Sequence, residues 1–355
     1  MAGIRSIGWW VPPGRRTAAE LEHAYGLCAG ALTELGVVAT AAAGPDDHPS
    51  TMAARATHHA LAAAGLEPRD LDLVIFTGVT KDWPPPWVAA YGVLDALGAP
   101  GAAGFDLGDR CAGVLDALWL AKLLVEAGGH RHVAVCCAER FDHWLGPARP
   151  LETVGDAMYG AGAAAAIVSS GAGNDIAALA TWVSRDLSAH HAAGPRAGGT
   201  RVPLDRAAFD ADQHQWRSQL TMRDSQRIAE FSADADRHTF PEVCRRAGFE
   251  AVDFVACSPF YPEPQLRVLA ELGIPREATL FTIPQLGHLG GSDLLLGLAI
   301  ATAIDHPIGR RVVSSLRTNV AGTALAIRAH GPSPAIAVAG EGIDLTAWRA
   351  ARSAA

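Results

Sequence analysis

Two residues with the chemistry of a nucleophile and a base stand at matching places in the two halves of this chain. Cys111 begins the segment CAGVLDALWLAKLL, and His288 begins HLGGSDLLLGLAIA; in both, small residues lead into an apolar helical run. A helix N-terminus presents unsatisfied N–H groups and the positive end of the helix dipole, which favour a thiolate. A neighbouring imidazole is expected to lower the thiol pKa further and to carry its proton. The pair therefore predicts acyl-transfer chemistry, the plain alternative being that Cys111 is an inert buried cysteine.

The segments that would position this pair repeat along the chain. Residues 60–78, ALAAAGLEPRDLDLVIFTG, and residues 243–259, VCRRAGFEAVDFVACSP, share one order: a helix end, a glycine, an aspartate and a strand. Asp72 precedes Cys111 by 39 positions, and Asp253 precedes its counterpart histidine by 35. Further along each half, after the cysteine in one and the histidine in the other, come a basic residue and a buried strand: RHVAVCCAE in the first half and RRVVSSLRT in the second. Self-similarity of this kind predicts a duplicated unit.

The duplication and the apolar pattern together predict the fold class. Apolar strands alternating with helices indicate mostly parallel sheets covered on both faces. The two central helices are apolar all round, which predicts burial between layers. We expect a duplicated five-layer α/β/α/β/α sandwich with halves at residues 1–175 and 176–355. Equivalent positions of the two halves approach the pseudo-twofold axis, so the thiol and the imidazole should face one another.

The bulk composition excludes several other classes of protein. At 355 residues, 49% hydrophobic and 19% charged, the chain can build a large core. A formal net charge of −8 argues against a nucleic-acid surface. No run of 18 apolar residues and no secretion-type N-terminus are present, so we expect a cytoplasmic protein without a membrane partner. The six cysteines have no zinc spacing, and His190 and His191 lack acidic or cysteine partners, so no metal is expected.

The chain resembles the ketoacyl-ACP synthase III group of the thiolase superfamily over nearly its whole length. Four segments carry the resemblance, all in the family's order: GIRSIGWWVPPGRRTAAEL, AAAGLEPRDLDLVIFTG, FDLGDRCAGVLDAL and VGDAMYGAGAAAAIV. The resemblance implies a thiolase fold, a homodimer and a cysteine nucleophile at Cys111. It also implies acyl-CoA or acyl-phosphopantetheine as the donor, an acyl carrier protein as a possible partner, and no tightly bound cofactor.

The remaining catalytic positions depart from the family pattern. Where the family histidine is expected, after the strand VDFVA, this chain has Ser258 and Pro259. Where the family asparagine is expected, the chain has His288. In the family the histidine and the asparagine together stabilise the enolate formed when a malonyl thioester loses carbon dioxide. This departure puts carbon–carbon bond formation in doubt and resembles the synthase-III-like acyltransferases of antibiotic pathways.

Two further site assignments concern the groups around the reacting atoms. Asp293 lies five residues after the histidine; it either orients the imidazole or is only a favourable charge near a helix N-terminus. The resemblance implies an oxyanion hole made by the backbone N–H of Cys111 and one from the loop LRTNVAGTA, near Asn319.

A further group of residues is assigned to the substrate channel or to carrier docking. Trp83 and Trp87 either line the channel or fasten their proline-rich loop to the surface. Arg267 lies where the family has a basic residue used in carrier docking, although a lone arginine is ordinarily a solvated charge. Ser258 is assigned to the same channel because it stands nearest the site.

We therefore expect an acyltransferase that moves an acyl group through a Cys111 thioester, with His288 as the general base. The acceptor would be a hydroxyl, an amine or a carrier thiol, with a sugar or cyclitol as the small-molecule partner, in natural-product biosynthesis such as that of polyketides. Two alternatives stay open. One is a decarboxylating β-ketoacyl-ACP synthase III, and the other is an idle partner that only binds a carrier protein.

Overall fold

The computed structural model describes residues 1–141, 154–191, 193–215, 217–218, 222–258 and 261–353. Pro259 lies outside the described residues. Within them, no helix is both long enough and apolar enough to cross a membrane.

The helices follow one another along the chain with intervening strands. Their bounds are α1 Ala18–Tyr25, α2 Ala31–Glu34, α3 Pro49–Ala64, α4 Ala89–Leu97, α5 Gly113–Glu126, α6 Arg206–Asp210, α7 Met222–Ala247, α8 Pro262–Glu271, α9 Ile283–Leu286, α10 Ser292–Ala303 and α11 Leu345–Ser353. The strands are β1 Ala2–Trp10, β2 Gly14–Thr17, β3 Ala39–Ala42, β4 Leu73–Phe76, β5 Ala103–Asp106, β6 His132–Arg140, β7 Ala161–Ser170, β8 Asn174–Val183, β9 Ala193–Gly194, β10 Arg217–Ser218, β11 Phe254–Cys257, β12 Arg311–Arg317, β13 Ala321–Ala329 and β14 Ala337–Glu341.

The two large sheets of the described chain repeat one strand order. The first runs β14-β1-β7-β6-β4-β5, and the second runs β11-β12-β13-β8. Strands β1, β7, β6 and β4 pair in the same order and directions as β8, β13, β12 and β11. The duplicated architecture expected from the sequence is therefore present in the strand topology.

The aspartate before each repeated strand has the same structural task in both halves. Asp72 accepts hydrogen bonds from the backbone N–H groups of Arg131 and His132, at 2.6 and 3.0 Å. Asp253 accepts from the backbone N–H groups of Arg310 and Arg311, both at 2.9 Å. Each carboxylate thus ties the start of one parallel strand to the start of its neighbour.

Three apolar cores lie between the five layers, and the central one covers both sides of the middle helical layer. The central core packs α5 and α10 between the inner faces of the two sheets. A second core packs α3 and α4 on the outer face of the first sheet, and a third packs α7 on the outer face of the second. Nearly every residue of α10 is buried, because sheets cover it from both sides.

The expectation of mostly parallel sheets fits the first large sheet of the described chain, where three of five strand pairings are parallel, but is wrong for the second, where one of three is parallel. Strands β4, β5 and β6 are parallel, whereas β7 pairs antiparallel with both β1 and β6. Strands β12 and β13 are joined by a short turn and pair antiparallel, as a short connection requires. Apolar runs show that a strand is buried but not which way its neighbours run.

The expected boundary at residues 175 and 176 falls inside a strand. Strand β8, which opens the second sheet, begins at Asn174. In addition, β14 from the second half returns to pair parallel with β1 at the edge of the first sheet. The two sequence halves are thus interlocked, and the boundary itself stays a prediction.

Candidate active site

Cys111 lies in a tight junction between the two central helices. It precedes α5, whose N-cap is Ala112, and follows Arg110, which has a left-handed φ of 49°. A Cβ on Gly291, the N-cap of α10, would come within 2.7 Å of the Cys111 carbonyl oxygen. Only glycine permits this approach, which brings the starts of the two buried helices together.

His288 is fixed at the start of the opposite helix by backbone pairing. Its N–H donates to the carbonyl of Met158 at 2.7 Å, and its own carbonyl accepts from the N–H of Gly160 at 3.1 Å. The preceding residue, Gly287, has a φ of 74°, in the region that favours glycine. Held in this way, the imidazole Nε2 lies 3.5 Å from the Cys111 Sγ.

Asp293 lies behind the imidazole as a carboxylate with four donors. Its Oδ2 is 2.6 Å from the His288 Nδ1 and 2.5 Å from the Ser258 hydroxyl. Its Oδ1 accepts from the backbone N–H of Leu289 at 3.1 Å and from the hydroxyl of Thr282 at 3.3 Å. The network assigns the imidazole proton to Nδ1 and leaves the Nε2 lone pair facing the thiol. The geometry fits the orienting alternative for Asp293.

The position of Ser258 does not match the substrate-channel role assigned to it from the sequence. Its hydroxyl is 3.1 Å from the His288 Nδ1 and donates to the Asp293 Oδ2. It therefore lies on the far side of the imidazole from Cys111 and helps to hold the carboxylate. The sequence could not show this, because strand β11 and helix α10 meet only in the folded chain.

The expected lowering of the thiol pKa is wrong for the resting protein. Burial raises the pKa of Cys111 well above its ordinary value, and the charges of Glu139, Cys137 and Asp293 raise it further. The Arg110 charge acts in the opposite direction. Desolvation is the largest of these contributions, and it disfavours the thiolate. Among the described residues, the side-chain partner of the thiol is the His288 Nε2, 3.5 Å from the Sγ.

Glu139 is a buried carboxyl group near the site that sequence reasoning missed. It is the second-last residue of β6 and is fully buried. It accepts hydrogen bonds from the backbone N–H groups of Val79 and Thr80 at 2.7 and 2.9 Å and from the Thr80 hydroxyl at 2.7 Å. A Cβ on Gly290, just before α10, would come within 2.8 Å of it. The sequence did carry a signal for Glu139. Side chains alternate between the two faces of a strand, so Glu139 lies on the same face of β6 as Cys137.

A pH-dependent stability difference is expected for Glu139→Gln. Burial raises the pKa of Glu139 from 4.5 to about 7. Between these values the unfolded chain releases a proton that the folded chain keeps, so this group lowers the free energy of unfolding by up to about 3 kcal/mol as pH rises. Urea unfolding at pH 4 and pH 8 should show the variant gaining stability relative to the wild type by that amount. The exposed Glu34→Gln is the control, and parallel pH curves for Glu139→Gln and wild type would refute the assignment.

Asp293→Asn is expected to lower kcat for acyl transfer by about 10²- to 10⁴-fold, with a smaller change in KM. An amide NH₂ facing the ring would favour the Nδ1-unprotonated tautomer and turn the Nε2 lone pair into an N–H. Steady-state kinetics would measure the loss. Ser258→Ala keeps the carboxylate and removes one hydrogen bond, so it should cost about tenfold or less. Equal losses in the two variants would contradict the orienting role.

Asn319 lies in the turn between β12 and β13. Its side chain donates to the carbonyl of Ala189 at 3.3 Å, which ties this turn to the segment around His190. Among the described residues, no acceptor is assigned to the backbone N–H of either Asn319 or Cys111. The oxyanion assignment of these two N–H groups stays a prediction.

The predicted channel and docking residues lie further out. Trp83 is 65% exposed, whereas Trp87 packs against Gly92 and the outer core under α3 and α4. The contacts of Trp87 are those of a residue that fastens its loop. Arg267 is exposed on α8. Among the described residues, no cluster of three or more His, Cys, Asp or Glu side chains could hold a metal ion.

Comparison with known proteins gives the family. Residues 105–186 match the family 3-oxoacyl-[acyl-carrier-protein (ACP)] synthase III. The chain is 30% identical to acetoacetyl CoA synthase NphT7 from Streptomyces sp. (strain CL190) over 258 residues, which cover 71% of this chain and 74% of that protein. This chain belongs to the ketoacyl-ACP synthase III family.

Other members of the synthase III family agree with this assignment. The β-ketoacyl-[acyl-carrier-protein] synthase III of Streptomyces lividans is 38% identical over 139 residues, which span 38% of this chain and 39% of that protein. The priming β-ketosynthase from the R1128 polyketide biosynthetic pathway has the same fold, with a TM-score of 0.78 at 20% identity, covering 94% of this chain and 97% of that one. The chain is thus a synthase-III-like transferase of the thiolase superfamily. Members of this family use acyl-CoA or acyl-carrier-protein thioesters and hold no tightly bound cofactor.

Proposed function

We propose that this chain transfers an acyl group from an acyl-carrier-protein or CoA thioester, through a thioester on Cys111, to a hydroxyl, amine or carrier-thiol acceptor in natural-product biosynthesis. The observation that carries the proposal is the line of atoms from the Cys111 Sγ to the His288 Nε2 and from the Nδ1 to the Asp293 Oδ2. In this arrangement the imidazole accepts a proton on the side of the thiol. The proposed homodimer and cytoplasmic location follow the family resemblance.

The first half-reaction forms the acyl-enzyme. His288 Nε2 takes the Cys111 proton as the Sγ attacks the thioester carbonyl, and the S–C bond to the donor thiol then breaks. The same proton passes to the leaving thiolate. The backbone N–H groups of Cys111 and Asn319 are proposed to bind the oxyanion.

The second half-reaction returns the enzyme. The acceptor hydroxyl or amine gives its proton to Nε2 as its oxygen or nitrogen attacks the acyl carbonyl on Cys111. The Sγ leaves and regains that proton, so no carbon dioxide is lost and no oxidant is needed. Asp293 stabilises the imidazolium that exists between the two proton transfers.

Decarboxylative condensation is the second candidate, and the comparisons favour it. The relatives described above are named as a β-ketoacyl synthase and an acetoacetyl CoA synthase. The hydrogen bonds of the polar groups around Cys111 favour acyl transfer instead. An enolate oxygen needs donors, but the neutral His288 has its N–H on Asp293, and the Ser258 hydroxyl donates to the same carboxylate. Neither group is left to donate on the side of the thiol.

An experiment with a labelled substrate distinguishes acyl transfer from condensation and from an idle carrier-binding partner. The protein is incubated with an acyl-pantetheine donor and a malonyl thioester labelled in its free carboxyl group, with and without an amino sugar as acceptor. Ester or amide formation without labelled carbon dioxide supports acyl transfer. Release of labelled carbon dioxide with a β-keto product would establish condensation instead. A protein that gains no acyl mass from any donor would be the idle carrier-binding partner.

A further inference from the structure

A buried carboxylate on the outer side of the second sheet is bound by three side chains. Asp236 of α7 is 0% exposed. It accepts hydrogen bonds from the Gln265 Nε2 at 2.8 Å, from the Ser315 hydroxyl at 3.0 Å and from the Arg317 Nη1 at 2.8 Å. Gln265 lies on α8, whereas Ser315 and Arg317 lie two positions apart on β12 and therefore share one face of that strand. One carboxylate thus joins two helices to the end of a strand.

Helix α7 contacts both sides of the last pair in the β12–β13 ladder. Arg317 and Gly322 form that pair. Asp236 binds Arg317, and a Cβ on Gly322 would come within 2.6 Å of the Ala235 Cβ. The missing side chain lets the helix pack directly on the start of β13. Two consecutive residues of α7 therefore hold the pair from which the turn at residues 318–320 projects.

The turn is closed by its own hydrogen bonds. The Thr318 N–H donates to the carbonyl of Ala321 at 2.7 Å, and the Thr318 hydroxyl oxygen accepts from the N–H groups of Val320 and Ala321 at 3.4 and 3.0 Å. Within the described chain, Asn319 is the turn residue whose N–H has no assigned acceptor. The turn thus presents this one N–H group, and the conformation of its backbone decides where that group points.

A short segment links the turn to the nucleophile. The Asn319 side chain donates to the carbonyl of Ala189 at 3.3 Å. The next carbonyl, that of His190, accepts from the guanidinium of Arg110, the residue before Cys111. Because two adjacent carbonyls bind both turns, a shift of the β12–β13 turn would change its position relative to Cys111.

We propose that Asp236 is a positioning residue for the oxyanion hole: by holding Arg317, it fixes the turn whose Asn319 N–H binds the thioester oxygen. This inference rests on the proposed function, which assigns that N–H to the oxyanion. Such a donor stabilises the transition state only when it is held in place before the charge develops. Loss of the carboxylate would leave the largely buried Arg317 without a counter-charge. Its long side chain would then turn toward water and loosen the last pair of the ladder.

The test compares two donors that differ in the atom that becomes the anion. One is an acyl-pantetheine thioester, and the other is the dithioester in which sulfur replaces the carbonyl oxygen. Sulfur is larger and a weaker acceptor, so the dithioester gains less from donors placed for an oxygen. Loading of Cys111 is followed by intact mass without any acceptor, and the ratio of the two rates is divided by that for a free alkyl thiol in water. The wild type should favour the thioester by about tenfold or more in this comparison.

Asp236→Asn should lower thioester loading by about tenfold and keep dithioester loading within about threefold of the wild type, so the preference largely disappears. Arg317→Lys keeps the ion pair with fewer donors and should lose a smaller part of the preference. Thermal unfolding shows which variants are folded, and Arg317→Lys decides the question if Asp236→Asn does not fold. Glu271→Gln is the matched control, because it breaks an exposed ion pair to Arg237 between the same two helices and should change neither rate.

The ratio of the two rates separates positioning from a merely structural role. An equal loss of loading with both donors would make Asp236 a structural residue and overturn the proposal. An unchanged preference in both variants would also overturn it, as would a wild type that shows no preference beyond that of the free thiol.

A failure of the proposed function gives a different result. Loading precedes the choice of acceptor, so a condensing enzyme still yields the ratio. If no donor loads Cys111, hydrogen exchange of the β12–β13 peptide is compared in the wild type and the folded variant. Faster exchange of the Thr318 and Ala321 N–H groups in the variant would keep the positioning of the turn and discard the transfer. Unchanged exchange would discard the positioning as well.

Discussion

Cys111→Ala is expected to abolish acyl loading and to lower acyl transfer by at least about 10⁴-fold, because the reaction then has no atom to hold the acyl group. Intact mass after incubation with an acyl-pantetheine donor would show the loss directly. The fold should survive, since alanine leaves the buried junction between α5 and α10 without a new polar group. Thermal unfolding would check this.

Cys28→Ala is the matched control for the nucleophile. The Cys28 thiol is exposed, whereas Cys136, Cys137 and Cys257 are buried, and burial raises their pKa values well above that of a free thiol. Loading should be unchanged in Cys28→Ala. An acyl adduct that persists in Cys111→Ala would move the nucleophile elsewhere.

His288→Asn is expected to lower transfer to an alcohol by about 10²- to 10⁴-fold, because it removes the group that takes the proton from the thiol and then from the acceptor. Burial raises the pKa of Cys111, so the thiol depends on a neighbouring base to lose its proton near neutral pH. The residual rate of the variant should rise with pH across the range in which the wild type is level. Single-turnover measurements with pre-acylated protein would separate the second half-reaction from the first.

Two further proteins make the His288 result specific. His58→Asn removes an exposed histidine on α3 and should have no effect. Ser258→His combined with His288→Asn places a histidine and an asparagine where the family has them. This double variant is expected to gain release of carbon dioxide from a malonyl thioester while losing transfer to an alcohol. Undiminished transfer in His288→Asn would remove His288 from the mechanism.

The internal repeat made the meeting of Cys111 and His288 predictable. Small residues followed by an apolar helix stand at similar distances, 39 and 35 positions, from an aspartate in the two halves. The folded chain uses Asp72 and Asp253 in the same way. The five layers followed from helices without a polar face. Strand direction did not follow, because an apolar run is compatible with parallel and antiparallel neighbours.

The surroundings of this pair could not be predicted from spacing. Five residues along a helix would turn Asp293 away from His288, but His288 precedes the helix, and the turn through Gly290 and Gly291 brings the carboxylate back to the ring. Glu139 is held by Val79 and Thr80, some sixty positions away. Contacts of this kind depend on the tertiary fold. Burial also reversed the expected shift of the thiol pKa, since helix-end reasoning does not count desolvation.

The most direct measurement of the central claim is the rate and place of acyl loading. Wild-type protein and His288→Asn are mixed with one acyl-pantetheine donor, quenched at short times, and examined by intact mass and peptide mapping. We predict one acyl group per chain on Cys111 in the wild type, formed about 10²- to 10⁴-fold more slowly in the variant. An adduct on another residue, or equal loading rates in the two proteins, would contradict the account.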